Sequence, residues 1–122
     1  MILIVTDNSV ELHVEGLVAQ SVEIKNIVVD YNLLGDPVAI EAFDFKRCPF
    51  SSDEVVDASG VRLSFDASVN AAWIVLRKER SSSDQEELDA EFGFDSTGRM
   101  AYVKFDYEKG RAAAAHRKAS QH

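Results

Sequence analysis

Apolar and polar positions alternate with period two over most of this chain, the spacing that sets one face of a β-strand on a core and the other in water. Val10, Leu12 and Val14 share one face against Glu11, His13 and Glu15, and Gly16 ends the run. A long β-branched stretch from Val22 to Tyr31 closes on Asn32-Leu33-Leu34-Gly35-Asp36-Pro37, where glycine offers positive φ and proline has no amide for a ladder. Val38 to Phe45 returns from that turn. Cys48-Pro49-Phe50-Ser51-Ser52-Asp53 then breaks the alternation, so residues 46–60 read as a connector closed by Ser59-Gly60. Strands resume at Val61–Phe65 and at Ala71–Leu76, the second apolar on both faces, which places Trp73 in the core. Arg77 to Glu87, rich in charge and serine, reads as a loop or the first turn of a helix. Ala90–Phe94 and Met100–Phe105 alternate around Asp95-Ser96-Thr97-Gly98, the clearest hairpin in the chain. In the tail, 108–122, the alanine-rich run Gly110–Lys118 has helix propensity without a wide apolar stripe.

Residues 2–45 and 61–107 share one layout: Asp, a small residue and Ser-Val, an alternating strand, a polar stretch, a long strand, a turn with Gly and a return strand. Asp7-Asn8-Ser9-Val10 aligns without gaps on Asp66-Ala67-Ser68-Val69, and Tyr31-Asn32-Leu33-Leu34-Gly35 aligns on Phe94-Asp95-Ser96-Thr97-Gly98. The expected fold is mainly β: two tandem four-strand repeats, seven to nine antiparallel strands in all, packed as one sandwich or barrel-like domain with a short C-terminal helix or tail.

Phe65-Asp66, Val69 and Ala72-Trp73-Ile74-x-Leu76 resemble the opening motif of a widespread family of small bacterial β-domains, an aromatic-Asp followed by Ala-Asp and an aromatic-Ile-x-Leu strand. Val29-Asp30-Tyr31-Asn32, Gly35, Val38 and Ile40-Glu41 are similar to the closing hairpin of the same family. Asn70 stands where the family has Asp, and Lys104 where its closing strand has Glu. The resemblance implies a small β fold in two copies, and it implies no activity, because that family has no assigned chemistry.

Charge narrows the function classes. The chain's 21 Asp and Glu outweigh its 13 Lys and Arg, and three of those bases, Arg111, Arg117 and Lys118, lie beyond Gly110, where no acid accompanies them. A surface of this sign repels phosphate backbones and acidic membranes over a Debye length of about 8–10 Å and draws in basic partners, so direct nucleic-acid or membrane binding is not expected. A single cysteine, Cys48, excludes an intrachain disulfide and a cysteine-cluster zinc site, which points to a reducing, cytoplasmic setting. No run of apolar residues is long enough to span a membrane, and the opening residues lack a basic leader.

Candidate chemistry is sparse. Asp30-x-Asn32-x-Leu34-Gly35 with Glu41 matches a calcium loop at several positions, but Leu34 occupies a ligand position and the flanks read as strands, so a hairpin turn is expected. Cys48 has no base beside it in sequence, and His13, His116 and His122 form no ligand set. No catalytic residue, metal ligand or cofactor is assigned. The acidic run gives the one candidate site: Asp84, Glu86, Glu87, Asp89 and Glu91 as a docking face for a basic protein. The expected function is accordingly a non-enzymatic protein-binding module, such as an acidic immunity or antitoxin-type inhibitor of a basic bacterial toxin or nuclease. The alternatives are an assembly module that forms a homodimer or larger oligomer through edge strands, and a small-ligand-binding β domain.

Overall fold

The computed structural model describes residues 1–78 and 84–109, and every helix-or-strand element among them is a strand. In chain order these are β1 (Ile2–Val5), β2 (Ser9–His13), β3 (Gln20–Tyr31), β4 (Pro37–Ala42), β5 (Glu54–Val56), β6 (Arg62–Asp66), β7 (Ala71–Val75), β8 (Gln85–Phe94) and β9 (Met100–Asp106). The described residues contain no helix long and apolar enough to cross a membrane. The tail expected to be helical lies outside the described residues, as do His116 and His122.

Side-chain oxygens set two of the hairpins. Between β3 and β4, Asn32 Oδ1 accepts from the amides of Leu34 and Asp36, both at 3.0 Å. Between β8 and β9, Asp95 Oδ1 does the same for Thr97 at 2.9 Å and Arg99 at 3.0 Å. Gly35 and Gly98 take φ of 82° and 85° at matching places in the two turns, where a Cβ would be strained. This is why Asp30, Asn32 and Glu41 do not gather as a calcium loop. Asn32 is spent on its own turn, Asp30 accepts from Gln85 Nε2 at 2.6 Å, and Glu41 lies along β4.

The strands form one antiparallel curled sheet, a half-barrel, in the order β1-β2-β9-β8-β3-β4-β7-β6-β5. With β5 set aside, that order reads the same from either end when β1–β4 are exchanged with β6–β9. The β1–β2 hairpin lies against β9, the β6–β7 hairpin lies against β4, and the long strands β3 and β8 meet at the centre. Neither set of four strands is contiguous. The mainly β, antiparallel, barrel-like fold expected from the alternation is the one observed; the two sets of four strands do not form separate packed units but interleave in a single curled sheet. The first-half alignment does not hold in position either: Val10 is buried in β2, whereas Val69 is 58% exposed in the longer β6–β7 turn.

One core fills the concave side. It draws Val10 and Leu12 from β2, Ile27, Val29 and Tyr31 from β3, Ile40 and Ala42 from β4, Leu63, Ala72 and Ile74 from β6 and β7, and Ala90, Phe92, Val103 and Phe105 from β8 and β9. Each large side chain among them contributes about 1.5–3 kcal/mol by leaving water. Residues 46–60 are more than a connector. Phe50, 5% exposed, enters the core, the Met100 amide donates to the Pro49 carbonyl at 2.7 Å, and β5 pairs with β6. The three-residue β5 was too short to register as an alternating run. The loop expected at Arg77–Glu87 becomes strand from Gln85 onward, and residues 79–83 are outside the described set.

Trp73 is another correction. Ile74 supplies the core from β7, so its neighbour Trp73 points to the convex side, half-buried between Glu41 of β4 and Ser64 of β6.

Candidate functional site

Period-two alternation along β8 separates the acidic run into two groups. Glu87, Asp89 and Glu91 are exposed on the convex side, while Glu86 and Leu88 alternate toward the core. Glu86 Oε1 accepts the Tyr31 hydroxyl at 3.2 Å, and Asp84, 7% exposed, precedes the strand with its carbonyl accepting the Tyr31 amide at 3.0 Å. Of the five carboxylates expected on one docking face, the fold brings three together there. Asp84 and Glu86 are turned into the structure around Tyr31.

Other strands extend the acidic face. Glu23 of β3 stands directly opposite Glu91, a like-charge pair that costs about 0.2–1 kcal/mol. On the other side, Lys104 of β9 faces Glu91 and also faces Glu11 of β2, with 3.8 Å between Lys104 Nζ and Glu11 Oε1. Asp89 Oδ1 accepts the Asn26 amide at 3.2 Å, where Asn26 takes φ of 59° and β3 bulges.

A groove opens at this place for a reason visible in the pairing. β8 and β9 are paired only from Glu91 opposite Lys104 to Phe94 opposite Met100. Before Glu91, β8 follows β3; beyond Lys104, β9 follows β2; so the two strands diverge. The resulting hollow, about 510 Å³, is lined by Ser21, Glu23, Asp89, Glu91, Lys104 and Asp106 with the backbone between them. Four carboxylates against one ammonium leave it net negative, a lining whose chemistry suits a cationic group such as a guanidinium or ammonium. Glu23 and Asp106 were missed by the sequence reading. Alternation puts both on outward faces, but only the pairing of β3, β8 and β9 brings them beside Asp89 and Glu91.

Next to the groove, the Tyr102 ring stacks on His13 with centroids 5.5 Å apart, and it lies over Gly93. Burial, then the hydrogen bond and charge of Glu91, push the Tyr102 hydroxyl up to about 12, so it remains a neutral donor at physiological pH. His13 thus has an aromatic neighbour, and the described residues hold no cluster of three His, Cys, Asp or Glu suited to a metal ion.

Cys48 lies half-buried in the segment that crosses the mouth of the half-barrel. Its Sγ faces the Ser52 carbonyl at 3.4 Å, and burial raises the thiol above its usual value, which disfavours the thiolate. A second hollow of about 380 Å³ lies between the two edges of the sheet, with Met1, Phe50, Val55, Leu63 and Met100 as apolar walls and Glu15, Asp57, Asp95 and Arg99 at its rim. No family model, curated protein or solved structure matches this chain.

Proposed function

We propose that this protein is a non-enzymatic binding module whose convex acidic groove docks a basic protein. The observation that carries this reading is the Glu23–Glu91 pair: two carboxylates opposed on adjacent strands, in a groove that also presents Asp89 and Asp106. Folding gains nothing from that opposition, and a cation from a partner relieves it. An immunity or antitoxin-type inhibitor of a basic toxin or nuclease is the kind of protein that uses such a face. The motifs at residues 65–76 and 29–41 fit this reading as scaffold, through the small β-domain family they resemble, and bring no chemistry of their own.

The test compares the wild-type chain with the double variant Glu87→Lys/Glu91→Lys on a source lysate. The wild type is expected to retain a basic protein at low salt, with an association rate that falls as salt rises, and the charge-reversed variant is expected to lose it. Absence of any basic partner at both low and moderate salt, or equal retention by the variant, overturns the proposal.

A further inference from the structure

The convex groove and the last residues of the same chain carry opposite charge. Residues 110–122, outside the described residues, hold Arg111, Arg117 and Lys118 and neither Asp nor Glu. The groove holds Glu23, Asp89, Glu91 and Asp106 against Lys104, whose Nζ is also shared with Glu11 at 3.8 Å. The strands that build the groove therefore leave it short of positive charge, and the chain beyond them carries an excess.

Topology brings the two together. Asp106, which lines the groove, ends β9, and three residues later Lys109 reaches Asp7 of the β1–β2 turn at 3.6 Å and Asp36 of the β3–β4 turn at 3.3 Å. Because β9 follows β2 and β8 follows β3, those turns stand on either side of the gap between β9 and β8, and Lys109 spans it at its wide end. On the concave side Tyr31 and Tyr107 meet across the same end, with ring centroids 6.0 Å apart. Within the gap, Ala90 of β8 and Phe105 and Asp106 of β9 have no partner strand on the side that faces it.

We propose that the basic stretch Arg111–Lys118 turns back into this groove, seats its bases among Glu23, Asp89, Glu91 and Asp106, and so competes with a basic protein that docks there. This rests on the groove being a seat for cations and adds the regulation of that seat. Each base that enters relieves the opposition of Glu23 and Glu91, which no described group relieves. The alanines 112–115 between Arg111 and the Arg117-Lys118 pair add little bulk against the apolar lining of Val22, Ala90 and Phe105.

Reach and tethering favour this occupant over others. From Lys109 back to the rung of Lys104 and Glu91 is five strand residues, about 17 Å, and the eight residues from Lys109 to Arg117 span up to about 26–29 Å when extended. A covalent tether of this length gives the basic stretch an effective concentration on the order of millimolar. An unattached basic chain, or the same stretch of a second copy, has no such advantage and has to displace it.

The test compares the untagged full chain with Arg111→Gln/Arg117→Gln/Lys118→Gln. In NMR spectra at low salt, the amide shifts that differ between the two should concentrate at Asp89, Glu91, Lys104 and Asp106 and vanish as salt rises. They should be the same at about 50 µM and 1 mM, as a contact within one chain requires. With a hexa-arginine peptide as probe, the variant should bind about three- to tenfold more tightly than wild type, the effect of removing a competitor held by a few exposed ion pairs. Glu87→Lys/Glu91→Lys should abolish that difference. Lys46→Gln/Arg62→Gln/Lys78→Gln, the same change in net charge on exposed groups that do not line the groove, should give no gain. Shift differences that avoid the groove, differences that grow with concentration and so mark a second copy, or an equal gain from the control triple overturns the inference. Peptide binding at the groove that is equal in wild type and variant overturns it and leaves the docking reading standing, whereas a peptide that binds neither overturns both.

Discussion

Two rows of side chains occupy matching places on the convex face and share almost no chemistry. Val28, Glu41 and Trp73 stand in register across β3, β4 and β7; Glu91, Lys104 and Glu11 stand in register across β8, β9 and β2. In the adjacent row, Asp30, Ala39 and Val75 match Gly93, Tyr102 and His13. On the concave face the matching positions agree: Val29, Ile40 and Ile74 against Phe92, Val103 and Leu12, all fully buried. The inner face thus fixes the register of the sheet, because slipping a strand by one residue would turn its apolar set to water. The outer face is free of that constraint, and one half spends it on a half-buried tryptophan while the other spends it on a charged groove.

The largest test of this comparison is made in the core. Ile40→Ala should cost about 2–5 kcal/mol, and Val103→Ala, at the matching position, somewhat less because it removes one carbon fewer. Since β3 and β8 join both halves in one sheet, each variant should lower the midpoint of a single cooperative transition in urea. Two separate transitions, with each variant moving only one of them, would mean that the halves fold independently and that the interleaved order has no energetic consequence.

At the convex positions the two halves should diverge. A Cβ on Gly93 would come within 2.5 Å of the Tyr102 ring and 2.9 Å of Val18, so Gly93→Ala has to move the ring off its stack with His13. A loss of about 1–3 kcal/mol is expected from such overpacking, with the melting temperature as readout. Its counterpart Asp30→Ala removes only the hydrogen bond from Gln85 and should cost about 1 kcal/mol or less. Equal losses at the two positions would show that the Tyr102 platform is no more tightly built than the matching surface.

Charge should act with smaller amplitude. Glu23→Lys turns the opposed carboxylates into an attractive pair with Glu91 and should stabilise the fold by about 0.2–1 kcal/mol at low salt, a gain that fades as salt rises. The same variant should weaken capture of a basic partner. If it stabilised the fold and left capture intact, the groove would be a solvated face and the docking site would lie elsewhere.

How far the sequence discloses all this depends on the range of the interaction concerned. β2, β3, β4, β6, β7 and β9 were legible because alternation is local and the turn residues Gly35 and Gly98 mark where it reverses. β1 was hidden by being apolar throughout, and the start of β8 by carrying Glu86 on its inner side, so the alternation registered only from Ala90 onward. Trp73 was misplaced for a related reason: Ala71–Leu76 is apolar on both faces, and only its pairing with β4 and β6 decides which residues face inward. The interleaving of hairpins rests on contacts such as β2 with β9, from opposite ends of the chain, which no local pattern encodes. The acidic run named Glu87, Asp89 and Glu91 correctly as surface groups, while Asp84 and Glu86 became interior groups once β8 was seen to run past them toward Tyr31.

The two turns provide the finest comparison, because the side chain that holds the amides titrates in one and cannot in the other. Asn32 and Asp95 hold the same pair of amides in the same geometry, but Asp95 is a carboxylate, held below its usual value first by the Thr97 hydroxyl and then by the Arg99 amide. A group whose folded value is lowered adds stability above its unfolded value, near 3.9 for aspartate, and that stability is lost as pH falls through the folded value. The hydrogen bonds that Asp95 accepts in the β8–β9 turn should therefore weaken in acid, while those that Asn32 accepts in the β3–β4 turn do not depend on a titration of Asn32. In NMR spectra recorded from pH 6 downward, the Thr97 amide should shift along a titration curve with a midpoint below that of ordinary aspartate, and the Leu34 amide should follow no such curve. Asp95→Asn should abolish the Thr97 titration and make the two turns behave alike. A Thr97 midpoint at the ordinary value, or a Leu34 amide that moves with it, would show that the hydrogen bonds of Asp95 do not control its charge.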